Sequence, residues 1–247
     1  MKLSVIIPVF NEEQTIIEVI SRIQRIELGL EKEIIIVDDA STDSTKDILK
    51  RHCVNKDGFR VFFHAKNMGK SLAIRTALQG VTGDIVIIQD ADLEYNPQDY
   101  PQVLQPILSG KADVVYGSRF TTIHKWLFIW HWFGNHFLNR HYEIRYLSNF
   151  LGIQLLNTVA NILYNTRLTD IATCYKVCKA PLLTSLTLHS RRFEFCYEVT
   201  AKLLKKGYKI YEVPITYHPR SIKQGKKLRW YDGIDALYTL IRYRFFD

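Results

Sequence analysis

The sequence predicts an α/β fold, a mostly parallel sheet with helices on both faces, followed by a C-terminal amphipathic helical region. Three observations predict it. Residues 3–9 and 33–37 are short, β-branched and apolar without alternation, the pattern of parallel strands covered on both sides. Helix-period segments separate such runs in regular order. After Arg119 the rhythm stops, and residues 121–166 hold amphipathic stretches with no clear strand.

The elements follow in order. Residues 3–9 form the first strand; Asn11 caps a helix with Gln14 in the return position, and Ile16, Ile17, Ile20, Ile23 and Ile26 share one face. Residues 33–37 close this βαβ unit. Helices over 42–51, 69–79 and 97–108 alternate with strands over 60–64, 84–89 and 113–117. Amphipathic stretches at 137–156 and 158–164 come next, then a helix over 193–206, a strand over 209–217, a basic loop at 220–229 and a closing helix over 231–245. Residues 1–120 are the expected ligand-binding core, and residues 121–247 the interfacial part of the same domain. In such a sheet the ligand lies beyond the carboxyl ends of the strands.

Composition bounds the function. With 247 residues, 47% hydrophobic and 23% charged, the chain is globular, which excludes disorder and fibrous repeats. Its longest uncharged aromatic run, residues 126–133, is far shorter than the ~20 apolar residues of a spanning helix. The apolar start meets Asn11, Glu12 and Glu13 instead of a small-residue cleavage site, so it reads as a buried strand and the chain as cytosolic. Cys53, Cys174, Cys178 and Cys196 lack CxxC spacing and read as reduced thiols.

Charge is uneven. Residues 1–120 hold 14 basic and 17 acidic side chains, a net of −3, whereas residues 121–247 hold 19 and 8, a net of +11. All four tryptophans and 23 of the 31 aromatics lie in the second part. That combination suits an anionic interface, where basic groups meet headgroups and aromatics settle at the apolar boundary. Nucleic acid would be attracted by the same charge. The run from Trp126 to Phe133 is either an interfacial segment or a core cluster.

The chemistry concentrates at residues 87–94, where Asp90, Asp92 and Glu94 follow directly on an apolar strand. Three carboxylates at a sheet edge repel one another unless a cation holds them. A hard divalent ion, Mg²⁺ or Mn²⁺, takes such oxygens and keeps open positions for a diphosphate. Asp38 and Asp39 end the second strand, where a carboxylate can accept hydrogen bonds from a ribose or base. The chain lacks GxGxxG and GxxxxGK[ST], which argues against dinucleotide oxidoreductases and P-loop kinases.

Residues 4–12, 37–41, 67–70, 90–92 and 116–119 together resemble the family 2 glycosyltransferases of GT-A fold. Residues 169–176, 193–195 and 219–227 resemble the branch that includes dolichol-phosphate mannosyltransferases and polyprenyl-phosphate glycosyltransferases. The resemblance implies that Pro8, Phe10, Glu12, Val37 and Asp39 frame the base and ribose of a nucleotide-sugar, and that Asp90 and Ala91 meet its sugar and diphosphate. It further implies that Asp92 and Glu94 ligate the metal, although relatives often carry Gln at the latter position, and that Arg119, Arg220 and Lys226 contact phosphates. Thr173, Cys174 and Tyr175 stand where the family commonly shows Ser-Gly-Phe.

Acceptor chemistry can be argued separately. A sugar hydroxyl or protein side chain loses a proton as it attacks, whereas a lipid monophosphate is already an anion at neutral pH. A polyprenyl phosphate therefore needs no dedicated base; Asp170 is the candidate if one exists, and a helix cap otherwise. The expected activity is inverting transfer from a nucleotide-sugar to such a lipid at the cytosolic membrane face, with the membrane surface and a membrane-anchoring protein as expected partners and no nucleic acid. A family 2 enzyme acting on a polysaccharide or protein, and a nucleotidyltransferase, are the alternatives. The basic loop at 220–229, hinged at Gly225, is the expected lid over the diphosphate.

Overall fold

A computed structural model describes residues 1–120, 147–220 and 232–246, with side chains of the second segment described from Phe150 onward. The strands are β1 (Lys2–Val9), β2 (Glu31–Asp38), β3 (Phe59–Phe63), β4 (Ile85–Ile88), β5 (Val114–Ser118), β6 (Lys176–Lys179) and β7 (Ile210–Pro214). The helices are α1 (Ile16–Arg25), α2 (Thr45–His52), α3 (Lys70–Leu78), α4 (Tyr100–Leu108), α5 (Leu147–Tyr164), α6 (Ala180–Thr184), α7 (Phe195–Lys205) and α8 (Asp232–Phe245). The strands form one sheet in the order β3-β2-β1-β4-β6-β5-β7. All pairs are parallel except those of β6, which runs against both β4 and β5.

Every residue of β4 is buried, as are residues 33–38 of β2. Neighbouring residues on a strand face opposite sides, so both faces of the sheet are covered. The expected βα alternation from β1 to β5 is present. Strand β6 was not expected, because four residues that begin and end with lysine do not read as a buried strand. Lys176 is fully buried there: its ammonium donates to the Ile171 carbonyl (2.9 Å) and lies 3.6 Å from the centre of the Tyr116 ring.

Three local expectations are corrected. Asn11 does not cap α1; it adopts φ 51° and its side-chain oxygen accepts from the Thr42 amide (2.8 Å), so it ties the loop after β1 to the loop after β2. The helix instead starts at Ile16, whose amide donates to the Glu12 carbonyl (3.0 Å). The stretches at 137–156 and 158–164 share one continuous helix, α5, over their described part. No break occurs at Asn157, because its side chain turns inward, donating to the Thr169 carbonyl and accepting from the Ile171 amide. Strand β7 is shorter than expected, ending at Pro214, and the Ile215 amide just beyond it still donates to the Ser118 carbonyl of β5 (3.0 Å).

Candidate active site

Because β1, β2, β4, β5 and β7 all run the same way, the segments leaving their carboxyl ends meet along one edge. Those segments carry Glu12, Asp39, residues 89–94, Arg119 and residues 215–220. Two glycines permit close approach. At Gly69 φ is +91°, and a Cβ there would collide with the Arg191 carbonyl; at Gly117 a Cβ would sit 2.7 Å from Ile215 and 2.9 Å from Tyr175.

The centre of the site is a carboxylate cluster closed by one guanidinium. Arg220 donates from Nη1 and Nη2 to the two oxygens of Glu12 (2.9 and 3.0 Å), and Nη2 also reaches Asp92 Oδ2 at 3.1 Å. Its backbone amide donates to Glu94 Oε1 (2.7 Å), and Tyr217 Oη donates to Glu94 Oε2 (2.6 Å). Thr15 Oγ1 donates to the Ala91 carbonyl (2.7 Å), fixing the loop after β4 against the start of α1. Beneath this loop the buried amide oxygen of Gln89 accepts from Tyr100 and Tyr175 (3.0 and 2.8 Å). Burial, then the charges of Asp90 and Glu94, push the Asp92 carboxyl up to about 7, against the opposing pull of Arg220.

Lys70, at the first turn of α3, meets Asp90 at 2.5 Å. Burial would lower its pKa, but Asp90 outweighs that and holds the ammonium above the ordinary lysine value. Asp39 is buried and its Oδ1 lies 2.7 Å from His64 Nδ1. It also accepts the Met68 and Gly69 amides (2.8 and 2.7 Å), so three of its roughly four lone-pair positions are taken. Asp38 is fully buried, and among the described residues its Oδ2 has no hydrogen-bond partner.

Arg119 and Asp170 form a second, deeper ion pair. Nε and Nη2 of Arg119 donate to the two oxygens of Asp170 (2.6 and 2.8 Å), and the Arg119 amide adds a third bond at 3.1 Å. Asp170 is fully buried, and its own amide donates to Glu212 on β7 (2.9 Å). The guanidinium lies 4.9 Å from the centre of the Tyr217 ring, the same tyrosine that holds Glu94. The two ion pairs are therefore joined through one aromatic side chain.

Residues 4–167 match the family model described as glycosyl transferase family 2. The chain belongs to this family. It is 36% identical over 120 residues to a dolichol-phosphate mannosyltransferase of Pyrococcus furiosus, an alignment covering 49% of this chain and 34% of that protein. It is 26% identical over 220 residues to a low-salt glycan biosynthesis hexosyltransferase of Haloferax volcanii, covering 88% of this chain and 48% of that protein. The chain thus spans about a third to a half of these two relatives. Glucosyl-3-phosphoglycerate synthase of Mycobacterium tuberculosis, in a crystal structure with Mn²⁺, uridine diphosphate and phosphoglyceric acid, superposes with a TM-score of 0.71 at 20% identity, covering 100% of this chain and 79% of that one. The same enzyme with Mg²⁺ and uridine diphosphate gives 0.70 at 19% identity, covering 98% and 79%. The shared fold is GT-A, as the resemblance implied.

In this family 2 glycosyltransferase the expected site residues fall into four places. Glu12, Asp92, Glu94 and Arg220 share one cluster, and Asp90 lies beside it on Lys70. Asp39 lies on the β2 side, held by His64, while Arg119 and Asp170 lie on the β5 side. Pro8 and Phe10 are half-buried at the end of β1, Ala91 is buried, and Val37 is fully buried beside Pro8 in the ladder. Lys226, the aromatic run at 126–133 and the basic loop beyond Arg220 lie outside the described residues. The sequence reading missed Lys70, Tyr217 and Glu212 as site residues. Lys70 had a signal in the 67–70 motif; the other two had none.

Among the described residues, no group of three or more His, Cys, Asp or Glu side chains is placed to hold a metal ion. What converges is a pair of hard oxygens, Asp92 Oδ2 and Glu94 Oε1, with the Arg220 cation 3.1 and 3.9 Å from them. A positive charge already sits where the carboxylates point. An ion held by two carboxylates and completed by water and substrate phosphates suits Mg²⁺ or Mn²⁺, so these residues fit the group.

Proposed function

We propose that this glycosyltransferase moves a sugar from a GDP-mannose or UDP-hexose type donor to a polyprenyl phosphate at the cytosolic membrane face, with inversion and no covalent sugar on the enzyme. The observation that carries this reading is the convergence of Asp92, Glu94, Glu12 and Arg220 at the carboxyl edge of the sheet, beside the Lys70–Asp90 pair. The name of the Pyrococcus relative supports the acceptor class.

Asp92 and Glu94 would hold the Mg²⁺ or Mn²⁺, which neutralises charge on the leaving diphosphate. Arg220 and Lys226 supply further positive charge to that diphosphate, and Arg220 exchanges Glu12 for phosphate oxygens when the donor arrives. Pro8, Phe10, Glu12, Val37 and Asp39 frame the nucleoside, with Val37 acting through its backbone. Asp90 and Ala91 border the sugar, and Lys70 sets the Asp90 carboxylate. Arg119 faces the acceptor phosphate, and the uptake of both Asp170 oxygens by Arg119 supports a positioning role for Asp170. An anionic acceptor attacks without a base, so no side chain here has to accept its proton.

The test offers radiolabelled GDP-mannose, UDP-glucose and UDP-N-acetylglucosamine with Mn²⁺ and polyprenyl phosphate in detergent. Label moving from one donor into the organic phase, lost in Asp92→Ala, is the expected result. Label appearing instead in polysaccharide or protein would replace the acceptor, and pyrophosphate released from a nucleoside triphosphate would make the chain a nucleotidyltransferase.

A further inference from the structure

Helix α5 carries no charged side chain in its 18 residues. Its inner face buries Phe150, Leu156, Asn157 and Ala160, yet its outer face is apolar too: Leu151, Leu155 and Ile162 are 51, 63 and 75% exposed. On α8, Ile234, Tyr238, Ile241 and Phe245 recur at helical spacing and are 58, 63, 40 and 64% exposed, opposite the buried Ala236, Leu240 and Tyr243. The two helices pack on each other and both pack on α7, with Tyr164 Oη on α5 donating to the Leu240 carbonyl on α8 (2.7 Å). Each exposed stripe thus lies opposite its own helix's buried face, on two helices packed against each other. Scattered exposed apolar residues need no cause, but two adjoining stripes make a contiguous patch that marks a contact.

Charge decides what covers it. Arg242 and Arg244 are exposed at the carboxyl end of α8, next to Phe245 and the 80% exposed Phe246. The acids of that helix, Asp232 and Asp235, sit in its first turn, with Asp232 buried 3.7 Å from Arg192. The patch is thus apolar in the middle and positive and aromatic at one end, within a part of the chain whose net charge is +11. Apolar side chains suit acyl chains, arginines suit anionic headgroups, and aromatics suit the boundary between them. A second copy of the chain would bring the same positive end and gains nothing from that charge.

We propose that the outer faces of α5 and α8 form the surface with which this chain docks on an anionic lipid bilayer. The inference deepens the lipid-phosphate reading and rests on it for its purpose. It also gives a structural route to the site: Asn157 and Asn161 of α5 bond the 168–171 segment that carries Asp170 beside Arg119.

The test sediments the full chain with vesicles of phosphatidylcholine alone and of phosphatidylcholine mixed with phosphatidylglycerol. The chain is expected to pellet with the mixed vesicles. Tyr238→Glu combined with Phe245→Glu should weaken this at least about tenfold, and Arg242→Glu with Arg244→Glu should abolish the preference for anionic lipid. Both sites are exposed, so circular dichroism and melting should stay at wild type, as should transfer to a water-soluble short-chain prenyl phosphate. A wild-type chain that stays in the supernatant with both vesicles would overturn the proposal, as would variants that pellet like wild type. Self-association through these residues without vesicle binding would assign the patch to a second copy and overturn it too. Vesicle binding without any lipid-phosphate glycosylation would leave the docking surface standing and sink the acceptor reading instead.

Discussion

Arg220 closes on Glu12 through two parallel hydrogen bonds of 2.9 and 3.0 Å, although the two residues are 208 apart in the chain. The same guanidinium touches Asp92, and its Nε is buried with no hydrogen-bond partner among the described residues. One cation thus holds together the ends of β1 and β4 and the segment after β7. A metal ion at this position would compete with Arg220 for the carboxylates, and a diphosphate would compete with the carboxylates for Arg220.

Arg220→Ala should separate those roles. Without nucleotide, Mn²⁺ binding, followed by the paramagnetic signal of the free ion, is expected to tighten as Asp92 and Glu94 lose their internal counterion. Sugar transfer should fall by about 10²-fold, because the phosphate-side positive charge is gone. Unchanged Mn²⁺ affinity would show that Arg220 does not compete with the ion.

Asp170→Ala leaves Arg119 buried without its partner, a loss of about 3–5 kcal/mol read as a lowered melting midpoint. Asp170→Asn keeps the shape and should retain more stability. If Asp170 positions Arg119, the surviving activity has the wild-type pH profile at reduced kcat. Loss of one limb of that profile would make Asp170 the base.

Acid stability should depend on a site far from the chemistry. Burial disfavours the Glu33 carboxylate, but bonds from Ser4 Oγ (2.5 Å), Thr82 N and Thr82 Oγ1 (2.7 and 2.6 Å) outweigh it and lower its pKa to about 2. A carboxyl with a depressed folded pKa stabilises above its unfolded value and loses that contribution as pH falls toward the folded one. The window is therefore about pH 4.5 down to 2, and the contribution at neutral pH is about 2–3 kcal/mol. Glu33→Gln should flatten urea-monitored stability across that window while donor binding is unchanged, since Glu33 lies near the amino end of β2.

Gly117→Ala tests the packing that aims Arg119. The added methyl meets Ile215 and Tyr175, so stability should drop by about 1–3 kcal/mol and KM for the acceptor should rise. Denaturant midpoints and steady-state kinetics measure the two effects.

The fold was legible from β1 to β5 because buried parallel strands leave continuous apolar runs that survive without an alignment. Strand β6 was hidden by Lys176, whose burial depends on a carbonyl and an aromatic ring supplied by other segments. In the site, Asp90, Asp92 and Glu94 were readable because carboxylates directly after a strand have few structural reasons to cluster. The link from Arg119 through Tyr217 to Glu94 was not, since it joins residues from three distant segments and leaves no mark in local spacing. Asn11 misled because capping and loop-bridging use the same side chain, and only the left-handed backbone distinguishes them.

The central claim is that Asp92 seats a divalent cation which holds the donor's diphosphate. Calorimetric titration of GDP and UDP into the chain, with Mn²⁺ and with chelator, measures it most directly. The account predicts that Mn²⁺ tightens one of these nucleotides by at least about tenfold in the wild type and leaves Asp92→Asn unaffected. Equal affinity with and without the metal, or the same gain in Asp92→Asn as in the wild type, would contradict it.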